Sequence, residues 1–488
     1  MSRPAGARDL LAGLVDPGSW QSWDLAPAHG GVDASYAAEL ARAAERAGTD
    51  EAVLTGRARI RGHDVALIVS EFRFLGGSIG RATADRIVAA VGRATAECLP
   101  LVAAPASGGT RMQEGTPAFV TMVDISRAVV EHKNAGLPYL VYLRHPTTGG
   151  VFASWGSLGH VTLAEPAALI GFLGPKVYEA LSGAPFPPGV QIAENLVAKG
   201  VIDGVVPPAD LADVVARTLR LLRPAAVASG RVPTRPPRRP GADVWSSVRL
   251  SRRADRPGVL ELLRYAADDH VLISGTGAGE SGHGLVGALA AFEGLACVVV
   301  GQDRRAQATA GLGPADLRAA RRFMQVAQQL RRPLVCLIDT PGADLSVAAE
   351  EGALASEIAR CLADLVQLSV PSVAVLMGEG CGGAALALLP CRRVIAAEHS
   401  WLSPLPPEGA STILHGTTAH AAATARRQRI GAAQLLADGV VHVVVPEPSP
   451  AHVDPANFCR RIAAAVVTQL AGQLRPAVTL TGEVYTLI

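Results

Sequence analysis

Short apolar runs of strand length alternate along this chain with amphipathic stretches of helix length. Residues 53–60 and 65–69, separated by a turn at Arg61 and Gly62, predict a β-hairpin. Residues 285–292 and 295–300 predict a second hairpin of the same kind. Each hairpin is followed by a predicted helix, then by apolar strands that begin at a proline and end in a glycine turn. This order predicts an α/β fold with mostly parallel, buried strands.

The sequence contains an internal duplication. Residues 100–109 resemble residues 333–342, and residues 138–143 resemble residues 371–376, each pair lying 233 positions apart. Gly149 and Gly150 match Gly382 and Gly383 at the same offset. So long a period indicates a duplicated domain rather than a solenoid. We therefore expect an N-terminal domain over residues 1–222, a solvated Arg/Pro-rich linker without regular structure over 223–257, and a C-terminal domain over 258–488.

Composition narrows the class of protein. The 488 residues are 49% hydrophobic and 18% charged, with a net charge of +2, which is typical of large buried cores and gives no basic field for nucleic acid. No run approaches the roughly 18–20 apolar residues that a membrane span needs. The seven cysteines are scattered, so neither a zinc ribbon nor a disulfide framework is predicted. We expect a soluble, reduced, cytoplasmic protein.

Two segments resemble nucleotide-binding motifs, but the residues around them do not fit such sites. Gly277–Gly282 fits G-x-G-x-x-G, but a hairpin rather than a helix is predicted after it. Residues 339–342 look like a GTPase switch, but none of the three lysines lies in a phosphate loop. We expect neither dinucleotide binding nor nucleotide hydrolysis.

Two glycine turns, at residues 106–111 and 378–384, are stronger candidates for a functional site. Each is predicted where an apolar strand meets a helix, so its amides would point outward at the positive end of the helix dipole. Two adjacent amides so placed form an oxyanion hole. A single turn of this kind could contain glycine only because its backbone conformation requires it. Two such turns in duplicated domains favour a role in stabilising an anion.

Side chains near these turns offer weaker candidates. Ser107 is better explained as a helix N-cap than as a nucleophile, and Glu114 as a carboxylate that complements a helix dipole than as a base. For Glu379, structural and catalytic roles are about equally favoured. Four histidines have no metal-ligand spacing: His160, His399, His415 and His420.

Taken together, the motifs resemble a known family. Residues 72–80, 107–115, 146–150 and 169–175 are similar to the β subunit of bacterial acetyl-CoA carboxylase carboxyltransferase. Residues 338–343, 350–352, 356–360, 378–384 and 407–409 are similar to its α subunit. The whole chain outside the linker thus resembles a β–α fusion of an acyl-CoA carboxylase carboxyltransferase.

The resemblance implies a crotonase-like ββα fold in each half. It implies transfer of CO2 from carboxybiotin, held on a separate biotin carboxyl carrier protein that works with a biotin carboxylase, to the α-carbon of acetyl-CoA or another short acyl-CoA, with no metal in this chain. It also implies one oxyanion hole from the amides of Gly108 and Gly109 and another from those of Gly383 and Ala384. One would stabilise the thioester enolate and the other the biotin ureido enolate.

Further residues follow from the matched motifs. Those implied to bind substrate are Phe74, Gly76, Gly77, Ser78, Arg111, Gly149, Gly150, Gly382 and Leu386. Leu386 lies where the family shapes its acyl pocket, and an apolar residue there implies a short or medium acyl chain. The family builds its site from the first half of one chain and the second half of another, so a dimer is the smallest complete unit and a hexamer is an alternative.

The chain departs from the family in several places. The four-cysteine zinc ribbon is missing, residues 301–304 read Gly-Gln-Asp-Arg rather than Gly-His-Gln-Lys, and Pro406 replaces a serine. Two other hypotheses therefore stay open. One is a biotin-independent malonyl-thioester decarboxylase on the same fold, and the other is a non-catalytic subunit that organises a larger carboxylase complex.

Overall fold

The computed structural model describes residues 6–30, 32–222, 243–309 and 311–474. Its first half is built on a seven-stranded sheet with the strand order β1-β2-β3-β4-β5-β7-β9. The strands of this half are β1 (Gln21–Ser22), β2 (Val53–Ile60), β3 (His63–Ser70), β4 (Leu101–Ala104), β5 (Tyr139–Leu143), β6 (Thr147–Thr148), β7 (Val161–Ala164), β8 (Ile170–Gly171) and β9 (Gly204–Val205). Its helices are α1 (Ala7–Leu14), α2 (Ala34–Ala47), α3 (Arg81–Ala96), α4 (Gly115–Asn134), α5 (Pro175–Ser182), α6 (Ala193–Ala198) and α7 (Leu211–Leu221).

The second half repeats this plan, with the strand order β10-β11-β12-β13-β14-β15-β17. Its strands are β10 (Asp269–Ile273), β11 (Leu285–Phe292), β12 (Leu295–Gln302), β13 (Leu334–Thr340), β14 (Ser372–Cys381), β15 (Arg393–Ala397), β16 (Trp401–Ser403) and β17 (Val443–Val445). Its helices are α8 (Val244–Ser251), α9 (Val259–Ala266), α10 (Pro314–Gln329), α11 (Val347–Glu351), α12 (Leu354–Gln367), α13 (Gly382–Leu386), α14 (Pro407–His415), α15 (Ala421–Arg427), α16 (Ala432–Ala437) and α17 (Pro455–Leu474).

Both predicted hairpins are confirmed. β2 pairs with β3, and β11 with β12, in antiparallel register, while the strands that follow each hairpin on the main sheet pair in parallel. The continuous apolar runs of these strands suit a sheet covered on both faces, and β12 and β13 are buried along their whole length. The α/β fold and the duplication are thus confirmed.

The prediction of an irregular linker is wrong where the structure describes it. Residues 223–242 lie outside the described residues, but α8 occupies most of 243–251. The Asp243 carboxylate caps this helix by accepting from the Ser246 N–H. Val248 is buried in a cluster with Trp401, and the indole N–H of Trp401 donates to the Ser251 hydroxyl at 2.9 Å. Burial of one apolar face outweighs the weak helix signal of so short a segment.

The two halves meet through one continuous apolar core. This core contains residues of the first sheet, such as Leu54 and Leu67, and of the second, such as Leu289 and Leu376. A guanidinium–carboxylate pair reinforces it, because both terminal nitrogens of Arg322 lie 2.9 Å from the carboxylate of Asp203. In the described residues no helix is long and apolar enough to cross a membrane.

Candidate active site

The first-half site begins with two loops in backbone contact. The loop at Leu75–Gly77 lies against the turn after β4, and the Gly108 N–H donates to the Gly76 carbonyl at 2.9 Å. A Cβ at Gly77 would lie 2.0 Å from the Ala106 carbonyl oxygen, and the Gly77 φ is +63°. Only glycine permits this approach, so the sequence motif at residues 76–77 holds the two loops together.

Arg111 organises this region from within. Its guanidinium is fully buried and pairs with the buried Glu51 carboxylate at 2.5 Å. It also donates to the Ser78 carbonyl at 2.9 Å and lies over the buried Phe74 ring, 5.3 Å from its centroid. The implied contact of Arg111 and Phe74 with substrate is therefore wrong in this structure, because neither side chain reaches the surface. Both position the loop that carries Ser78.

Glu114 joins three helices rather than acting as a base. It accepts from the Tyr36 hydroxyl and from the Arg81 backbone N–H, each at 2.6 Å. Burial opposes its ionisation, but these donors and Arg111 hold the pKa of Glu114 below its ordinary value. Because Arg81 is the first residue of α3, Glu114 does complement a helix N-terminus, as predicted for its residue type, although the helix is α3 rather than its own.

The backbone N–H groups of Gly108 and Gly109 already donate hydrogen bonds within the protein. The Gly108 N–H donates to Gly76, and the Gly109 N–H donates to the Ser107 hydroxyl at 3.0 Å. No helix starts at Ser107–Gly109, since a 3-10 helix begins only at Met112 and α4 only at Gly115. The predictions of an oxyanion hole from these two amides and of a Ser107 helix N-cap are therefore wrong. The second half has the same local turn, in which the Gly342 N–H donates to the Thr340 hydroxyl at 3.1 Å.

Two other amides of the first half have no hydrogen-bond acceptor among the described residues. The turn after β6 places the Gly149 Cα and the Gly150 nitrogen so that a Cβ at Gly109 would lie 3.4 Å from each. Among the described residues, the N–H groups of Gly150 and Val151 donate to no acceptor. Val151 is fully buried, and a buried N–H without a partner is rare in proteins. Neither amide has a protein acceptor in the described residues, and Gly150 is the partly accessible one of the two.

The internal repeat identifies the same position in the second half. With the offset of 233 residues, Gly150 and Val151 correspond to Gly383 and Ala384. Gly382, Gly383 and Ala384 are the first three residues of α13, which follows β14 directly. The first N–H groups of a helix have no partner within it. The sequence analysis predicts Gly383 and Ala384 but does not include Val151, because a valine amide has no signature other than its place in the repeat.

Gln302 was also missed, and it fixes the second-half turn. Its side chain is buried at the end of β12, where its amide nitrogen donates to the Ala384 carbonyl at 2.7 Å. Its amide oxygen accepts from the Asp339 N–H at 3.1 Å. Asp339 in turn accepts from the Glu379 N–H at 3.0 Å, so the motif at residues 339–342 ties β13 to β14. A polar residue that ends an otherwise apolar strand was the available signal.

A pocket of about 680 Å³ opens at the carboxyl ends of β12 to β14. Its lining residues include Arg252, Arg304, Arg305, Glu379, Trp401 and Pro406. Burial raises the pKa of Glu379, and the cations of Arg252 and Arg304 oppose that rise. Arg252 contacts Glu379 at 2.8 Å and also pairs with Glu408, which fixes the Glu379 carboxylate in the pocket wall.

The remaining predicted residues are distributed over both halves. Gly76, Ser78, Gly149 and Gly150 are partly accessible beside the first-half turn. Gly382 and Leu386 are accessible on α13, and the Leu386 side chain is 45% exposed. In the described ranges no group of three or more His, Cys, Asp or Glu side chains is arranged to hold a metal ion.

Comparisons with known proteins give the family. The carboxyl transferase domain family matches residues 7–477. The probable biotin-dependent acyl-coenzyme A carboxylase beta3 subunit of Mycobacterium tuberculosis H37Rv is 55% identical over 462 residues, which are 94% of this chain and 93% of that protein. The acetyl-coenzyme A carboxylase carboxyl transferase subunits beta/alpha of Salinispora arenicola are 40% identical over 94% of this chain and 86% of that protein.

Solved structures confirm the architecture. The transcarboxylase 12S hexamer matches with a TM-score of 0.75 at 22% identity, covering 98% of this chain and 92% of that one. A single-chain long-chain acyl-CoA carboxylase matches with a TM-score of 0.74 at 18% identity, covering 95% of this chain and 46% of that one. These likenesses confirm two crotonase-like domains. Together with the sequence matches, they establish that the chain belongs to the carboxyl transferase domain family and is a carboxyltransferase.

Proposed function

We propose that this chain is the carboxyltransferase component of a biotin-dependent acyl-CoA carboxylase, and that it carboxylates the α-carbon of acetyl-CoA or another short acyl-CoA. The observation that carries the proposal is the pair of equivalent glycine turns, one in each half, whose amides at Gly150–Val151 and Gly383–Ala384 donate to no acceptor among the described residues. The 55% identical mycobacterial relative, named for a biotin-dependent acyl-CoA carboxylase, supports it.

The amides act where negative charge develops. Removal of an α-proton from a thioester places charge on its carbonyl oxygen, and two converging N–H groups in a buried setting stabilise that charge. The buried, unpartnered Val151 N–H fits an oxygen ligand of this kind. The Gly383 and Ala384 amides, with the Ala384 peptide fixed by Gln302, serve the second oxyanion.

Proton transfer needs no side-chain base of this chain. When bound, carboxybiotin on the separate carrier protein supplies both the CO2 and the ureido nitrogen that takes up the α-proton. The roles left to the protein are to orient both reactants and to exclude water. The loops fixed by Gly77 and Arg111, and the pocket at the ends of β12 to β14, suit those roles.

The acyl group is proposed to be short and apolar. Leu386 lies on α13, two residues after Ala384, and its exposed side chain offers an apolar wall rather than a charged one. This apolar side chain offers no hydrogen bond to the second carboxylate of a dicarboxylic acyl group.

A second copy of the chain is the proposed partner that completes the site. The outer face of the segment that leads into and along α4 exposes Met112, Phe119, Val120 and Val123, with Phe119 62% accessible. So contiguous an apolar face is typical of an interaction surface. A dimer would cover it and would bring the first-half turn of one chain to the second-half turn of the other, and dimers could assemble further into a hexamer.

The reverse reaction tests the proposal without any partner protein. Purified chain is incubated with malonyl-CoA or methylmalonyl-CoA, with and without biotin methyl ester, and acyl-CoA products are followed by mass spectrometry. We expect loss of CO2 that depends on the biotin ester. Loss of equal rate without biotin would indicate a thioester decarboxylase, and no reaction with either thioester would favour the non-catalytic subunit.

A further inference from the structure

A second pocket, of about 650 Å³, lies between α1 and α2 in the first half of the chain. Its lining includes no residue of either glycine turn. Its apolar side chains come from Leu11 and Ala12 of α1, Ala44 of α2, Leu54 of β2 and the partly exposed Trp20. A mostly apolar cavity of this size, with a few polar groups, is typical of a binding site for a small ligand.

The two acids that line this pocket are already paired. Both carboxylate oxygens of Asp50 accept from Arg86, at 2.9 and 2.8 Å. Asp24 accepts from the backbone N–H and from the hydroxyl of Thr55, at 2.9 and 2.8 Å. The hydrogen bonds from Arg86 also lower the pKa of Asp50. These pairings leave little acidic charge to attract a cationic ligand.

Arg8 and Thr49 supply the polar groups that remain without a full set of partners. The Arg8 guanidinium donates to the Gly48 carbonyl at 3.3 Å and forms no ion pair within the described ranges. Thr49 is 6% exposed, and its hydroxyl has no hydrogen-bond partner in the part of the chain that the structure describes. The Gly48 carbonyl belongs to the peptide bond that leads into Thr49, so the guanidinium and the hydroxyl lie at the same end of the pocket.

We propose that this pocket binds a small monocarboxylate with an apolar body, at a site separate from those of the acyl-CoA and the biotin. The ligand carboxylate accepts from the Thr49 hydroxyl and pairs with Arg8. The apolar body lies against Leu11, Leu54 and Trp20.

The unpaired groups favour a carboxylate over other occupants. A buried hydroxyl without a partner costs free energy, which an acceptor oxygen removes. A carboxylate also takes charge-assisted hydrogen bonds from a guanidinium, which are stronger than neutral ones. A water molecule satisfies a hydroxyl, but it leaves the apolar lining and the neighbouring cation unmatched.

Calorimetric titration of the full chain with sodium octanoate tests the proposal. The ligand control is 1-octanol, which has the same apolar body without the carboxylate. We expect saturable binding of octanoate, and at least about tenfold weaker binding of 1-octanol. No thioester is present, so the result does not depend on the proposed reaction.

Three variants locate the binding site. We expect Arg8→Gln to weaken octanoate binding at least about tenfold and Thr49→Val to weaken it several-fold. Arg42→Gln makes the same change of charge on an exposed position of α2 outside the pocket, and it should bind octanoate as the native chain does. Because the Thr49 hydroxyl has no partner to lose, Thr49→Val should not lower the Tm of the free protein.

Several outcomes would overturn the proposal. One is the absence of saturable octanoate binding. Equal affinity for octanoate and 1-octanol, or undiminished binding in Arg8→Gln, would show that the carboxylate is not recognised. Competitive displacement of octanoate by acetyl-CoA would place the ligand in the acyl site instead.

Discussion

At the residue scale, the proposed site consists of backbone amides rather than reactive side chains. A proline at Gly150 removes one N–H from the first-half turn, whereas an alanine keeps it. The alanine Cβ would lie 3.3 Å from the Thr110 hydroxyl and 3.6 Å from Met122, contacts that small shifts can accommodate. Loss of one oxyanion-hole donor typically lowers turnover about 100- to 1,000-fold.

We therefore expect Gly150→Pro to lower biotin-dependent malonyl-CoA decarboxylation at least about 100-fold, and Gly150→Ala to lower it less than about tenfold. Steady-state kinetics of both variants, with circular dichroism as a check on folding, measures the difference. Equal losses in the two variants would show that space at this turn matters and that the amide does not.

Also at the residue scale, what the sequence could predict depended on whether a signal was local. The resemblance predicts the glycines at 76–77 and 149–150 as substrate-binding residues, and the structure places Gly77 and Gly149 in close backbone contact with residues 106–109. The partners of the Gly108 and Gly109 amides could not be predicted, because they come from a loop about thirty residues earlier and from a side-chain rotamer. The matched motif implies Arg111 as a binding residue, and its burial could not be predicted because its partner Glu51 lies 60 positions away.

At the scale of elements, hairpins and long helices were predictable and α8 was not. The hairpins have a two-residue turn between apolar runs, a signal contained in the segment itself. Only eight residues form α8, and they are stabilised by tertiary contacts, above all by Ser251 with Trp401. The arginine that follows α8, Arg252, pairs with Glu379 of β14 and so connects this helix to the pocket.

Replacing Arg252 with a neutral residue should reveal this connection as a change in the pH dependence of stability. Burial already raises the pKa of Glu379, so the folded state binds its proton more tightly than the unfolded chain does. Stability from this group is therefore lost as pH rises above the unfolded value of about 4.3. In Arg252→Gln the pKa rises further, and we expect a loss of about 2–4 kcal/mol at pH 7 that shrinks toward pH 4.5.

Urea unfolding at several pH values measures this loss. The double variant Arg252→Gln/Glu379→Gln is the matched control, because it removes both charges, and it should recover much of the stability at pH 7. A loss of stability in Arg252→Gln that is independent of pH would contradict the assignment of Glu379 as the group that causes the loss.

At the scale of the whole molecule, we propose that a second copy of the chain completes the site. The two halves share one apolar core through one face of each sheet. The exposed face of α4 is left for another copy. We expect Phe119→Asp to shift the mass in sedimentation velocity from a multimer toward one chain and to lower activity in parallel.

Glu131→Ala, on an exposed position of the same helix, is the control for that variant and should leave the mass unchanged. A multimer of undiminished mass in Phe119→Asp would place the interface elsewhere.

The central claim, that Gly150–Val151 of one chain works with Gly383–Ala384 of another, is tested most directly by complementation. Gly150→Pro and Ala384→Pro each inactivate every site of their own homodimer. In a mixed dimer of two-fold symmetry, a shared site leaves one of two sites with both turns intact. Co-expression should therefore restore about a quarter of wild-type biotin-dependent decarboxylation. If the mixture stays as inactive as its parents while mixed dimers form, each site lies within one chain and the claim is wrong.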